Sequence, residues 1–212
     1  MKNQTSDRRP ILARNSPYSQ RVSTFLAQHG VSPNTISVAS VVFAVGAGLS
    51  LIATSGNFAP RVWWILTAVL IVLRLSANML DGMVAMETGK TSAVGELFNE
   101  VPDRISDVVI FVSAGFAAGS SPHLGYITAI LALFIAYVRA LGNYMGVTQL
   151  FIGPMAKSHR MFTLTAFCLC NAIIPAAWQL PSLLTWGLLI ISAGSVITIV
   201  RRVQCIAKRM GV

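Results

Sequence analysis

The sequence predicts an all-α fold: a polytopic membrane protein of about six transmembrane helices preceded by an N-terminal interfacial helix. Three observations lead there. The chain of 212 residues is 54% hydrophobic and only 11% charged, whereas a soluble domain carries roughly 25% charged residues to face water. Its mean hydropathy is +0.67, and its apolar runs reach the roughly 20 residues needed to cross a hydrocarbon core. Its basic residues collect in alternate connections.

Taken in order, residues 1–33 form a polar, basic cytoplasmic segment, unlike a cleaved leader. Within it Tyr18 to His29 alternates polar and apolar residues at near-helical spacing, which predicts a short helix lying on the membrane surface. Ser32-Pro33-Asn34 marks a turn and helix start, because Pro suits a first turn and Ser or Asn caps it. Apolar runs then begin near Asn34, Val62, Phe98, Leu124, Met161 and Leu183, so residues 34–200 are read as one six-helix domain. Ser55-Gly56-Asn57, Ser120-Ser121-Pro122 and the stretch from Pro175 to Pro181 supply short outer turns. Residues 201–212 form a basic cytoplasmic tail. Cys168, Cys170 and Cys205 read as packing residues without disulfide or metal.

Charge placement sets the orientation. The formal net charge is +9, and twelve of the sixteen Lys and Arg residues lie before the first run, after the second, after the fourth and after the sixth. Basic connections stay in the cytoplasm, so both termini are expected there, in a bacterial inner (plasma) membrane. The same charges suit anionic lipid headgroups. Being split among short segments, they do not form the single basic face of a nucleic-acid binder.

Six of the seven acidic residues fall between Asp81 and Asp107, where the second run ends and the third begins. Ionisable groups at that depth are costly and face a cavity, a partner or an ion. Asn78 and Asp81 are three apart on one helix; Asn99, Asp103 and Asp107 are each four apart on the next, so each set lies along one helical face. Opposed across a hairpin, such faces would gather the hard oxygen ligands that Mg²⁺, Mn²⁺ or Ca²⁺ takes. Gly82, Gly89 and Gly95 leave room beside the backbone. Two other readings stay open on chemistry alone. Glu100 with Arg104, and Asp107 with Arg74 or Arg139, could form structural ion pairs, or the acids could line a proton or sodium pathway. Arg139, Lys157 and Arg160 cluster toward the same side, where they would suit a phosphate or simply contact headgroups.

The spacing resembles that of the CDP-alcohol phosphatidyltransferase family, whose signature is Asp-x-x-Asp-Gly-x-x-Ala-Arg, eight residues, then Gly-x-x-x-Asp-x-x-x-Asp. Here Asn78, Asp81, Gly82, Ala85 and Met86 are followed, eight residues on, by Gly95, Asn99 and Asp103. All spacings agree, and Asp81, Gly82, Ala85, Gly95 and Asp103 agree in identity. Ser32-Pro33-Asn34 resembles the start of that family's first span, and Gly153 to Lys157 resembles the basic loop before its fifth. The resemblance implies transfer of a substituted phosphate from a CDP-linked lipid donor, such as CDP-diacylglycerol, to a small or phosphorylated alcohol, with CMP leaving. It implies two Mg²⁺ or Mn²⁺ ions held by Asn78, Asp81, Asn99 and Asp103. Asp103 is placed as general base, though a ligand role alone would also fit. Asn34, Gly82, Ala85 and Gly95 fall on the nucleotide side, Arg139, Lys157 and Arg160 on the acceptor side, and a homodimer is allowed.

The departures carry chemistry. Asn ligates hard cations without bringing negative charge, so Asp81 and Asp103 alone face two divalent ions. The remaining charge is expected from the substrate pyrophosphate, Asp107 or Glu96, so metal binds together with the CDP substrate. Met86 stands where the family has arginine, and Lys90 is the nearest replacement. Two other functions compete. An ion-coupled transporter would show repeated halves or helices broken near the midplane; the sequence shows no repeat, and its acids lie toward one end. A catalytically silent lipid- or nucleotide-binding protein would keep the pocket without the chemistry.

Overall fold

The structure is a computed structural model that describes residues 14, 16–56, 58–89, 93–147, 152–174 and 183–211. Among them are seven helices: α1 (Pro17–Gln28), α2 (Pro33–Ala53), α3 (Pro60–Glu87), α4 (Ala93–Gly115), α5 (Pro122–Tyr144), α6 (Lys157–Ile173) and α7 (Leu183–Arg209). Each begins within a few residues of the start that hydropathy and turn residues indicate. Ser32 caps α2 by accepting from the Thr35 N–H at 3.1 Å, with Pro33 at the first helical position. The turn segment from Pro175 to Pro181 and residue Asn57 lie outside the described residues.

Four helices, α2, α3, α5 and α7, are long and apolar enough to cross a membrane. The expected six is thus met by four on length and composition. α4 has 23 residues but carries Glu100, Asp103, Arg104 and Asp107, and α6 has 17 described residues. The protein is an all-α, polytopic, integral membrane protein. Its outward side chains agree: Val38, Val42, Val45 and Leu49 on α2, and Val62, Ile65, Val69 and Val72 on α3, are exposed, as suits a surface solvated by acyl chains rather than water.

Inside the bundle α2 packs against α3 and α4, α4 against α5, α3 against α6, and α5 and α6 against α7, while α1 lies against α3. The core combines small residues with larger ones: Ala44, Ala47 and Ala68 sit among Leu51, Trp64, Ile71 and Phe111. Small residues allow close helix approach where lipid removes the usual hydrophobic drive. α4 crosses α5 closely: a Cβ added to Gly125 would lie 2.8 Å from the Gly115 Cα and the Phe111 carbonyl. With α2 against both α3 and α4, the polar ends of those two helices are brought to each other.

Candidate active site

α3 and α4 run antiparallel, and their polar residues meet in three successive rungs. Arg74 Nη2 donates to Asp107 Oδ1 at 2.8 Å. One turn on, Asn78 Nδ2 donates to Asp103 Oδ1. Beyond it Asn99 Nδ2 lies 3.4 Å from Asp81 Oδ1. The three- and four-residue spacings expected from the sequence therefore do face each other across the hairpin. Pro102, which has no N–H for the helix ladder, lies inside α4 between Asn99 and Asp103.

Neighbouring helices complete the patch. Ser37 of α2 donates its hydroxyl to Asp81 Oδ2 at 2.7 Å. Lys157, the first residue of α6, donates to Asp103 Oδ2. Arg74 Nη2 also reaches the Asp103 backbone carbonyl at 3.2 Å and its Oδ1 at 3.5 Å. Arg160, one turn along α6, donates to Asp107 Oδ2 at 2.9 Å and to the Met155 carbonyl at 3.0 Å. Asp81, Asp103, Asp107, Arg74 and Arg160 are all buried. Charges so far from water persist only when paired and hydrogen-bonded.

The loop that delivers Lys157 is held against α7. The Met155 N–H donates to Thr198 Oγ1 at 3.0 Å, and Gly153 has φ +115°, a conformation L side chains rarely adopt. A Cβ on Gly153 or on Gly194 would come within 2.5 Å of Thr198 or Met155 respectively. Arg202 of α7 donates to the carbonyls of Ile152 and Ile135 at 3.2 and 3.1 Å.

Of the alternatives the spacing left open, the structure places Asp107 in ion pairs, with Arg74 on one oxygen and Arg160 on the other. The Arg160 side chain is 1% exposed and bound to that carboxylate. Arg139 pairs with Glu100, at 3.6 Å, rather than with Asp107. The Glu100–Arg104 pair forms as the spacing indicates, at 3.1 Å. Gly82 and Ala85 are half-buried on α3 below Asp81, and Asn34 is exposed in the first turn of α2. Lys90 lies outside the described residues, as do the surroundings of Gly95 and the side chain of Glu96. Ser37 and Thr198 were not legible as site residues: a serine or threonine in an apolar run carries no periodic signal that distinguishes it from packing.

The donor set suits a hard divalent cation. Four oxygen-bearing side chains fall on one patch of two helices, and a 180° turn about χ2 puts the Asn78 or Asn99 carbonyl oxygen where its amide nitrogen now points. No group of three or more His, Cys, Asp or Glu gathers for metal binding among the described residues, so such a site would rest on mixed carboxylate and amide oxygens.

The model of the CDP-alcohol phosphatidyltransferase family matches residues 30–203. This chain belongs to that family. Among relatives it is 26% identical to the inner membrane protein YnbA of Escherichia coli, over 77% of this chain and 79% of that one. Its fold is similar to that of phosphatidylinositol phosphate synthase from Mycobacterium tuberculosis solved with CDP-DAG bound. The TM-score there is 0.75 at 19% identity, covering 90% of this chain and 94% of that one. The same enzyme solved with manganese and citrate gives a TM-score of 0.73 at 20% identity, covering 89% and 88%. The chain is accordingly an enzyme, a membrane transferase acting on a CDP-alcohol, and the transporter reading of its acidic cluster falls away.

Proposed function

We propose that this CDP-alcohol phosphatidyltransferase moves a phosphatidyl group from CDP-diacylglycerol to a small alcohol, with release of CMP, in phospholipid synthesis. The observation that carries this reading is the pairing of Asn78 with Asp103 and Asp81 with Asn99, with Lys157 against Asp103. These are the signature positions, gathered on one buried patch. The Mycobacterium tuberculosis enzyme was solved with the same donor, which supports CDP-diacylglycerol here. α4 and α6 also cross the bilayer in this reading, giving six spans with α1 on the surface and both termini in the cytoplasm. α4 can do so because its charges are matched within the bundle by Arg74, Lys157 and Arg160.

Asn78, Asp81, Asn99 and Asp103 would hold the divalent cation, Mg²⁺ or Mn²⁺, together with the donor; the related enzyme was solved with manganese. A cation so held lends positive charge to the pyrophosphate as its phosphorus–oxygen bond breaks. The chain's own residues do the rest. Asp103 accepts the proton of the acceptor hydroxyl as that oxygen bonds to the phosphorus next to the lipid, and the phosphoanhydride oxygen leaves with CMP. Asn78 orients the Asp103 carboxylate from α3, and Ser37 orients Asp81 from α2. Gly82 and Ala85, small and half-buried beside Asp81, leave space for the nucleotide; Asn34, Lys90 and Gly95 are assigned to it from their place in the sequence pattern alone. Arg139 offers a guanidinium at the cytoplasmic rim for a phosphorylated acceptor.

The test is CMP release from CDP-diacylglycerol by the purified protein with Mg²⁺ or Mn²⁺, comparing candidate alcohols such as inositol phosphate and glycerol phosphate. Release that needs the cation, an acceptor and Asp103 supports the assignment. Absence of release with every acceptor would reject it.

A further inference from the structure

The family resemblance implies a pair of divalent ions. We infer that this chain is built for a single divalent ion, with the Lys157 ammonium taking the place of the second positive charge. The inference rests on the active-site reading above and concerns the same four ligand positions.

The two carboxylates of the patch are not alike. Both oxygens of Asp103 are covered by positive or N–H groups: Lys157 on Oδ2, Asn78 and Arg74 on Oδ1. Asp81 instead meets neutral donors: Ser37 on Oδ2, the Asn99 amide 3.4 Å from Oδ1, and the Gly82 N–H. An incoming cation therefore finds its less compensated carboxylate at Asp81, and the Asp103 side is already provided with a cation from the chain.

Charge balance points the same way. Asp81, Asp103 and Asp107 are matched by Arg74, Lys157 and Arg160, and Arg104, 3.7 Å from Asp103, is matched by Glu100, so the patch is neutral before any ion or substrate arrives. One divalent ion entering with the doubly anionic pyrophosphate keeps it neutral. Two would leave two uncompensated positive charges beside the buried Asp81 and Asp103, where unpaired charge is most costly. Carboxylates at 78 and 99 would remove that excess, and this chain has amides at both.

Lys157 is also held in place rather than free to drift. It follows directly on the loop fixed by the Met155–Thr198 hydrogen bond and by the contacts of Gly153 and Gly194 with α7, and Arg160 one turn later bonds the Met155 carbonyl. A lysine serving only as headgroup contact would need no such support.

The experiment is electron paramagnetic resonance of the purified full-length protein titrated with MnCl₂ in the presence of CDP-diacylglycerol. One Mn²⁺ per chain with the spectrum of an isolated ion is expected. Asn78→Asp with Asn99→Asp should raise the count to two, with the spin coupling of ions roughly 3.5–4 Å apart. Lys157→Gln should tighten Mn²⁺ binding by about tenfold by removing a nearby positive charge. A coupled pair in the unaltered protein would overturn the inference and leave the transferase assignment standing. Unchanged Mn²⁺ affinity in Lys157→Gln would overturn the role given to Lys157. No bound Mn²⁺ at all would overturn both this inference and the metal reading beneath it. If Lys157→Gln fails to fold, the stoichiometry of the unaltered protein and of the double Asp variant still decides.

Discussion

Arg74 on α3 and Asp107 on α4 are joined at 2.8 Å with side chains that are 0% and 1% exposed. Arg160 closes the other oxygen of the same carboxylate at 2.9 Å. A single anion thus ties three helices together below the catalytic patch, and Arg74 continues from it to the carbonyl and carboxylate of Asp103. Among the described residues the Arg74 Nε and Nη1 atoms have no hydrogen-bond partner, so the guanidinium depends on these two acids for its compensation.

Asp107→Asn should therefore destabilise the protein by about 3–5 kcal/mol, because it leaves the buried Arg160 guanidinium without its counter-charge and Arg74 with only its longer contact to Asp103, at 3.5 Å. Thermal unfolding in detergent reads this. A variant that melts with the unaltered protein would show that the triad contributes little.

Asp103→Asn keeps the shape of the side chain and removes its proton-accepting charge. CMP release should fall by roughly 10²–10⁴-fold, while gel filtration still gives a monodisperse peak. Retained activity would move the base elsewhere.

Arg139→Ala should raise the acceptor KM far more than the donor KM. Arg139 is 39% exposed and its pair with Glu100 is long, at 3.6 Å, so the accompanying loss of stability should be at most about 1 kcal/mol. Equal effects on both substrates would reject its assignment to the acceptor side.

Gly125→Ala should cost about 1–3 kcal/mol through forced separation of α4 and α5, since its Cβ would press on backbone atoms of Gly115 and Phe111 rather than on a movable side chain. Because α4 carries Asp103, CMP release should weaken as well. A melting temperature equal to that of the unaltered protein would show that the crossing relaxes freely.

The helices and the facing polar rows were legible in the chain because both follow from local periodicity. Apolar length marks α2, α3, α5 and α7, and intervals of three and four residues put Asn78 with Asp81 and Asn99 with Asp103 on their faces. The Glu100–Arg104 pair is of the same kind, one turn apart on one helix. What spacing could not rank was the choice among partners on different helices. Asp107 had several basic residues within plausible reach, and the packing of α3 and α6 selected Arg74 and Arg160 while placing Arg139 beside Glu100. Ser37 and Thr198 entered only through helix contacts, since a lone hydroxyl in an apolar run has no counterpart nearby in sequence.

By itself, then, the sequence determined that this protein lives in a membrane, where its helices begin, and which polar residues share a helical face, because hydropathy and helical phase are properties of consecutive residues. The tertiary structure decided how the charges are shared. It assigned Asp107 to hold the bundle, Lys157 to cover Asp103, and Ser37 and Asn99 to meet Asp81. Pairing in a low-dielectric interior depends on distances of a few ångströms between separate helices, and only their packing sets those.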